Sequence, residues 1–305
     1  MSVTFRPSYL ELGAVSVRER AELAREMLSP CRMCPRECGA DRLGGEAGFC
    51  KTLENAVVSS RNIHHGEEPP ISGHRGSGAI FFSNCNLRCV FCQNYPISQM
   101  GVGSEVEHKE LADMMITLQE RGAHNINFVT PTHVTAAIIA ALEHAIEGGL
   151  KIPLVWNSGG YDSVETLRLL DGIVDIYMPD IKYADDAPAL KYSNAPNYVN
   201  INKLALMEMR RQVGALRMDV DGVAERGLLI RHLVLPGGMA GSEEALRFIA
   251  EQLSPDTYVS LMSQYFPANR AREFPEMNRA ITRAEYTNAE EALYRLGLES
   301  GYIQG

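Results

Sequence analysis

Residues 81–95 read FFSNCNLRCVFCQNY, which places Cys85, Cys89 and Cys92 within eight positions. A tetrahedral zinc site takes four ligands and a disulfide takes two. A four-iron cubane usually takes four thiolates; a C-x3-C-x2-C loop supplies three and leaves one iron with open coordination sites. A fourth thiolate could come only from the N-terminal side, because no cysteine follows residue 92. The tight spacing, the aromatic Phe91 before the last cysteine and the apolar run just upstream favour the open cluster over an incomplete zinc site.

The remainder of the chain suits such a site. No apolar run approaches the roughly 20 residues of a membrane span. The first residues, MSVTFRPSYLELGAV, lack the charged start and apolar middle of a signal peptide. The expected location is therefore cytoplasmic, without a membrane partner, where thiols stay reduced. Seven cysteines are then expected as ligands or nucleophiles. They fall in two groups, 31–50 and 85–92, whereas cysteines used as small core hydrophobes would be scattered. A net charge of −9 speaks against a nucleic-acid partner, whose phosphates must be neutralised. Arg270, Arg272, Arg279 and Arg283 are the one local basic patch, read here as a solvated tail.

From residue 79 onward short apolar runs alternate with helical patterns. Strands are expected at 79–83, 125–130, 153–157, 174–179, 228–235 and 258–262, as continuous apolar runs of the kind covered on both faces. Helices are expected near 17–28, 108–121, 133–148, 162–171, 197–218 and 242–253. Asp162 with Glu165 and Thr282 with Glu285 have capping-box spacing, and Ser242 can cap the helix that follows it. Six strands alternating with helices imply an α/β fold with a parallel sheet, open or curled into a partial (β/α)6 TIM-like barrel. The expected units are an N-terminal helix, cysteine-rich module and linker over 1–75, the barrel over 76–265, and a helical tail packing on it over 266–305. Active sites of such sheets gather at the C-terminal strand ends, where the three cysteines lie.

A C-x3-C-x-aromatic-C loop after the first strand of a βα fold resembles the radical S-adenosylmethionine (SAM) superfamily. The resemblance implies a [4Fe-4S] cluster whose open iron binds the amino and carboxylate groups of SAM. It further implies that an electron from the cluster cleaves the sulfonium to methionine and a 5′-deoxyadenosyl radical, which takes hydrogen from a substrate. More narrowly, CNLRCVFCQNY resembles the activating enzymes of glycyl-radical enzymes, pyruvate formate-lyase activase among them. A branch related to these shares CPRECGADR, GEEPPISG, VTPTHV, WNSGGYDS, MPDIKY, LVLPGG, LMSQYFP and EYTNAEEALYRLGLESGYIQ, so the likeness covers nearly the whole chain. What it implies is an activating-enzyme-like oxidoreductase fed by a reductant such as flavodoxin or ferredoxin. Its target would be a glycine of a partner enzyme, another protein, or a small molecule.

The resemblance also directs attention to particular residues. Phe91 and Asn94 would lie beside SAM. Many superfamily members have Gly-Gly-Glu after the second strand; here Thr130, Pro131, Thr132 and His133 stand instead. A carbonyl or the Thr132 hydroxyl would take the cofactor's amino group, or Thr132 would merely cap the next helix. Asn157 and Ser158 in WNSGG suit ribose hydroxyls, and the glycines permit close backbone approach or simply a positive-φ turn. Asp180 and Lys182 share one side of an extended segment, and a lysine similarly placed in the activases lies near the cofactor carboxylate; a surface ion pair is the plainer reading. An inward Arg231 requires an anionic partner, although a slip of one residue would bring His232 inward instead. Gln264 and Tyr265 are substrate-side candidates, Trp156 is packing, and the methionines of the helices are core filler.

Cys31, Cys34, Cys38 and Cys50 have the spacing C-x2-C-x3-C-x11-C, which fits a structural zinc site or a second iron–sulfur cluster, with unligated thiols as the third reading. Activases with extra cysteine modules carry them after the radical loop; here the module precedes it. His64, His65, Glu67 and Glu68 line the barrel mouth, ligate metal if one thiolate is not used, or belong to a solvated linker, the last being favoured. Against the enzyme stands a non-catalytic electron carrier or scaffold, which would not need polar strand ends such as WNSGG and MPDIKY.

Overall fold

Continuous apolar runs become buried parallel strands, as strands covered on both faces must. The computed structural model describes residues 5–304. Its strands are β1 (Ala56–His64), β2 (Ser77–Phe82), β3 (Ser104–Val106), β4 (Ile126–Val129), β5 (Leu154–Ser158), β6 (Ile176–Ile181), β7 (Arg217–Met218), β8 (Ala224–Leu233), β9 (Tyr258–Met262) and β10 (Gly301–Ile303). Every residue of β4, β5 and β6 is buried. The six expected strands are β2, β4, β5, β6, β8 and β9, adjacent in chain order and parallel throughout. The sheet ends at β3 on one side and β10 on the other. The fold is thus α/β, a partial barrel rather than a closed one.

Four strands lie outside the sequence expectation: β1, β3, β7 and β10. β1 runs antiparallel along β2, from Val58 opposite Phe82 to His64 opposite Ser77, and carries β3 on its outer edge. Its run AVVSSRNIH is half polar and only partly buried, so it lacks the apolar continuity that reveals the inner strands. The expected limit at residue 75 therefore falls between two hydrogen-bonded strands. β10 pairs parallel with β9, so the tail beyond 266 contributes to the sheet besides its helix Arg283–Arg295.

Local signals held where side chains were free to cap. Thr282 and Glu285 form the reciprocal capping box at Arg283–Arg295. Asp162 does not cap Val164–Leu169, where Ser163 holds the N-cap position; the Asp162 carboxylate turns inward. Ser242 is the first residue of its helix, and its hydroxyl bonds His232 instead. The helix from Tyr198 stops at Val213, because Gly214 takes φ 73°, open to glycine, and the chain turns into β7.

Side chains pointing into the lumen are layered. Register pairs Asp180, Arg231 and Ser260 across β6, β8 and β9, so these three share a face. Two residues earlier on the same faces, Met178 and Leu229 join Val155 and Ile176 in an apolar layer. Ile71, from the connection between β1 and β2, completes that layer and is fully buried. Ile71→Ala removes a side chain with nothing positioned to replace it, and should cost about 2–5 kcal/mol of stability. Urea denaturation under anaerobic conditions measures this; a loss below about 1 kcal/mol would mean that the lumen closes over the gap.

Candidate active site

After β2 the chain reverses at Asn84, whose φ is 69°, and enters the three-cysteine loop. Hydrogen bonds in both directions between the loop and other elements hold it. Asn86 Nδ2 donates to Tyr161 O at 2.7 Å, Val90 N to Tyr192 O at 2.8 Å, and Gln99 Nε2 to Cys89 O at 2.7 Å. Donors also face the sulfurs: Leu87 N lies 3.3 Å from Cys85 Sγ, and Ser193 Oγ lies 3.0 Å from Cys89 Sγ. Cys92 Sγ lies 3.1 Å from Ser98 Oγ. All three cysteines are free and line one cavity of about 450 Å³.

Burial, with Cys89 next to it, pushes the Cys85 thiol up to about 12. Burial also raises Cys89, against the pull of Lys182. Left alone these thiols stay protonated; a bound metal supplies the charge that makes them thiolates. N–H and O–H donors aimed at sulfur suit that thiolate form. Among the described residues, no three His, Cys, Asp or Glu side chains gather tightly enough to hold a single metal ion. Three thiols spread around a cavity fit a body wider than one ion, as a cubane is.

The opposite wall carries buried charge. Lys182 Nζ lies 2.5 Å and Arg231 Nε 2.8 Å from the two oxygens of Asp180. Arg231 Nη2 donates to Asn157 Oδ1 at 2.7 Å, and Nη1 lies 3.8 Å from Glu67. Burial alone would raise Asp180, but Arg231 and Lys182 outweigh it and hold the carboxyl below its usual range. The lysine stays charged for the matching reason: burial lowers it, and Asp180 with Cys89 more than restores it. The register question is settled at Arg231, which lines the cavity. His232 faces away, its ring between Ile181 O and Ser242 Oγ, and burial pushes it down to about 4.

Phe91, Asn94, Thr130, Asn157, Ser158, Asp180, Lys182 and Arg231 all line the cavity with the three cysteines. Thr132 does not. It is buried, and its hydroxyl donates to Asp162 at 2.7 Å. Asp162 also receives Ser158 Oγ at 2.6 Å and, at 3.5 Å, Trp156 Nε1. This buried carboxylate thereby ties the ends of β4 and β5 together, and the Thr132 hydroxyl is consumed there. Thr130 takes φ 63°, an uncommon and strained conformation for a β-branched residue. Gly160 answers the choice at WNSGG: its φ is 70°, and a Cβ there would meet Asp180 O at 2.1 Å. Tyr265 also misses the cavity, bonding Met277 O at 2.7 Å, whereas Gln264 lines it. The favoured linker reading of HHGEEPP fails, because His64, Glu67 and Glu68 line the cavity. Ser98, Ser193 and Asn127 gave no sequence signal. The basic patch is largely neutralised, with Arg270 paired to Glu273 and Arg279 to Glu285.

The N-terminal cysteines face one another. Cys31, Cys34, Cys38 and Cys50 lie near one another, and Arg42 Nη1 lies 3.9 Å from Cys31 Sγ. Burial raises Cys34 to about 12. The module grips the radical loop through Phe49, over whose ring lie the guanidinium groups of Arg36 at 3.8 Å and Arg88 at 4.5 Å. Arg36 Nε also donates to Asn86 O at 2.9 Å.

The family described as the Radical SAM superfamily matches residues 79–215, from β2 through most of the barrel. The chain belongs to the radical SAM superfamily. It is 30% identical, over 97% of its own length and 82% of the relative's, to the uncharacterized protein MJ0674 of Methanocaldococcus jannaschii. It is 28% identical to a second uncharacterized protein of that organism, MJ0808, over half of this chain and 49% of that protein. Its fold is similar to that of HydG, a maturase of the [FeFe]-hydrogenase, with a TM-score of 0.52 at 11% identity over 96% of this chain and 64% of HydG. No helix among the described residues is long and apolar enough to cross a membrane.

Arg231→Met leaves Asp180 buried with one cation instead of two, and should cost about 3–5 kcal/mol. Asp180 has a depressed pKa, so the stability it contributes is present above about pH 4 and is lost as pH falls through its folded value. The cost of Arg231→Met should therefore be level between pH 6 and 8. A cost that varies across that window in urea titrations contradicts the charge assignment.

Proposed function

We propose that this radical SAM protein cleaves SAM reductively and takes hydrogen from a substrate seated in the barrel. The observation that carries the reading is one cavity lined by three free thiols at one end of the sheet and by the Asp180–Lys182–Arg231 group on its wall. Cys85, Cys89 and Cys92 would hold the [4Fe-4S] cluster. Lys182 and Arg231 would meet the carboxylate of SAM, Asn157 its ribose, with Ser158, whose hydroxyl proton goes to Asp162, as an acceptor there, and Phe91, Asn94 and Thr130 would border it. The cluster and SAM, once bound, supply the electron and the 5′-deoxyadenosyl radical. The chain's own residues orient SAM, exclude water and hold the substrate carbon within reach. A flavodoxin or ferredoxin would deliver the electron.

Two forms of the reading differ in the hydrogen donor. In the activase form it is a backbone glycine of a partner enzyme, supported by the likeness of CNLRCVFCQNY and by the exposed Tyr95, Met100 and Val102 just past the loop. In the other form the donor is a different protein or a small molecule, supported by the polar residues Glu67 and Glu68 along the cavity. Cys31, Cys34, Cys38 and Cys50 would hold zinc or a second cluster, a reading supported by the mutual nearness of the four thiols.

Anaerobic reconstitution, reduction and addition of SAM should yield 5′-deoxyadenosine from the wild type. The Cys85→Ala, Cys89→Ala, Cys92→Ala triple variant should fall to background while keeping the N-terminal metal in iron and zinc counts. Equal product from both proteins sinks the assignment. Deuterium carried into 5′-deoxyadenosine from labelled candidates then chooses between the two donors.

A further inference from the structure

We propose that the floor of the cavity is a substrate subsite for a cationic group, an ammonium or guanidinium, received by Glu68 with Glu67 beside it. The inference rests on the radical SAM reading and names the chemistry of the substrate at the end of the cavity away from the cysteines. Those follow β2, whereas Glu67 and Glu68 belong to the connection that precedes it.

Several buried polar groups there have no partner. Glu68 is 3% exposed, lines the cavity, and its Oε2 makes no hydrogen bond. Its backbone carbonyl, by contrast, accepts from Ile71 N at 2.8 Å and Ser72 N at 3.0 Å. The turn is therefore built by the main chain, and the carboxylate is not needed to build it. Asn127 on β4 is fully buried beside Glu67, with its amide turned to that carboxylate and its Oδ1 without a partner among the described residues. The Ser260 hydroxyl, in the register row of Asp180 and Arg231, is fully buried and unpartnered among the described residues, though behind the cavity wall and not part of its lining. Leaving such groups without partners is costly. A ligand that supplies donors removes that cost.

Charge says which ligand. Asp180, Glu67 and Glu68 line the cavity together with Lys182 and Arg231. Lys182 bonds Asp180 and lies near Cys89, at the cysteine end, and Arg231 bonds Asp180 and Asn157 and stands 3.8 Å from Glu67. Among the described residues no fixed cation lies within salt-bridge distance of Glu68, and the wall holds three acids against two bases besides the imidazole of His64. At this end of the cavity an anionic ligand group would meet Glu67 and Glu68; an ammonium or guanidinium supplies the missing charge and the missing donors to Glu68 together. Seated there, it would fix the register of the substrate beneath the cofactor.

The test uses the anaerobic, cluster-loaded, unreduced protein, so it does not depend on turnover. Binding of 1-butylguanidinium and of its neutral isostere N-butylurea is measured by saturation-transfer NMR, with and without SAM. The guanidinium should bind at least 10-fold more tightly than the urea, with SAM present as well as absent, and Glu68→Gln should bring the two within about 2-fold. Equal binding of the probes, binding of neither, or a preference that survives Glu68→Gln overturns the proposal. Displacement of the guanidinium by SAM also overturns it, by giving the carboxylates to the cofactor's own ammonium. If Glu68→Gln fails to fold, the wild-type contrast between the probes still decides. Production of 5′-deoxyadenosine on reduction of the same sample reports separately on the radical SAM reading.

Discussion

The pairing of Asp180 with Lys182 and Arg231 is the interaction on which the cavity depends. A lone charge in the lumen of a barrel would be expelled or neutralised. Two cations on one carboxylate keep all three groups ionised there. Arg231 then reaches across to Asn157 and toward Glu67, so β5, β6, β8 and the connection between β1 and β2 share one network. The apolar layer of Val155, Ile176, Met178, Leu229 and Ile71 lies at the other side of that row. It gives the polar layer a dry base, where charge interactions are strong. The three thiols close the same space, with Lys182 near enough to Cys89 to pull its thiol down against burial.

The N-terminal module has a second, mechanical part in this arrangement. Phe49 carries Arg36 from the module and Arg88 from the radical loop on its ring, and Arg36 also bonds Asn86 O. The module comes before the radical loop in sequence and braces it in space. Whatever orders Cys31, Cys34, Cys38 and Cys50 therefore also orders the loop beside it.

The sequence disclosed most where one physical requirement acted alone. Strands buried on both faces had to be continuously apolar, and all six were found within a few residues. The three-cysteine spacing and the polar strand ends 157, 158, 180, 182 and 231 were likewise legible, since polar residues closing an apolar strand have few other uses. Competing demands hid the rest. β1 is half exposed, and its polar residues concealed it. Thr132 and Asp162 carry good capping chemistry, but burial drew them to each other. Glu67 and Glu68 sit among Pro and Gly and read as linker, although that connection turns into the barrel. Arg231 and His232 could not be separated without the register that β6 and β9 impose.

The central claim is that Cys85, Cys89 and Cys92 hold a cluster with one iron left for SAM. Electron paramagnetic resonance of the reduced cluster, before and after adding SAM, tests this most directly. A change in the cluster's g-values on adding SAM, absent from the Cys85→Ala, Cys89→Ala, Cys92→Ala variant, is the predicted result. A fully loaded wild-type cluster whose spectrum ignores SAM would contradict the account.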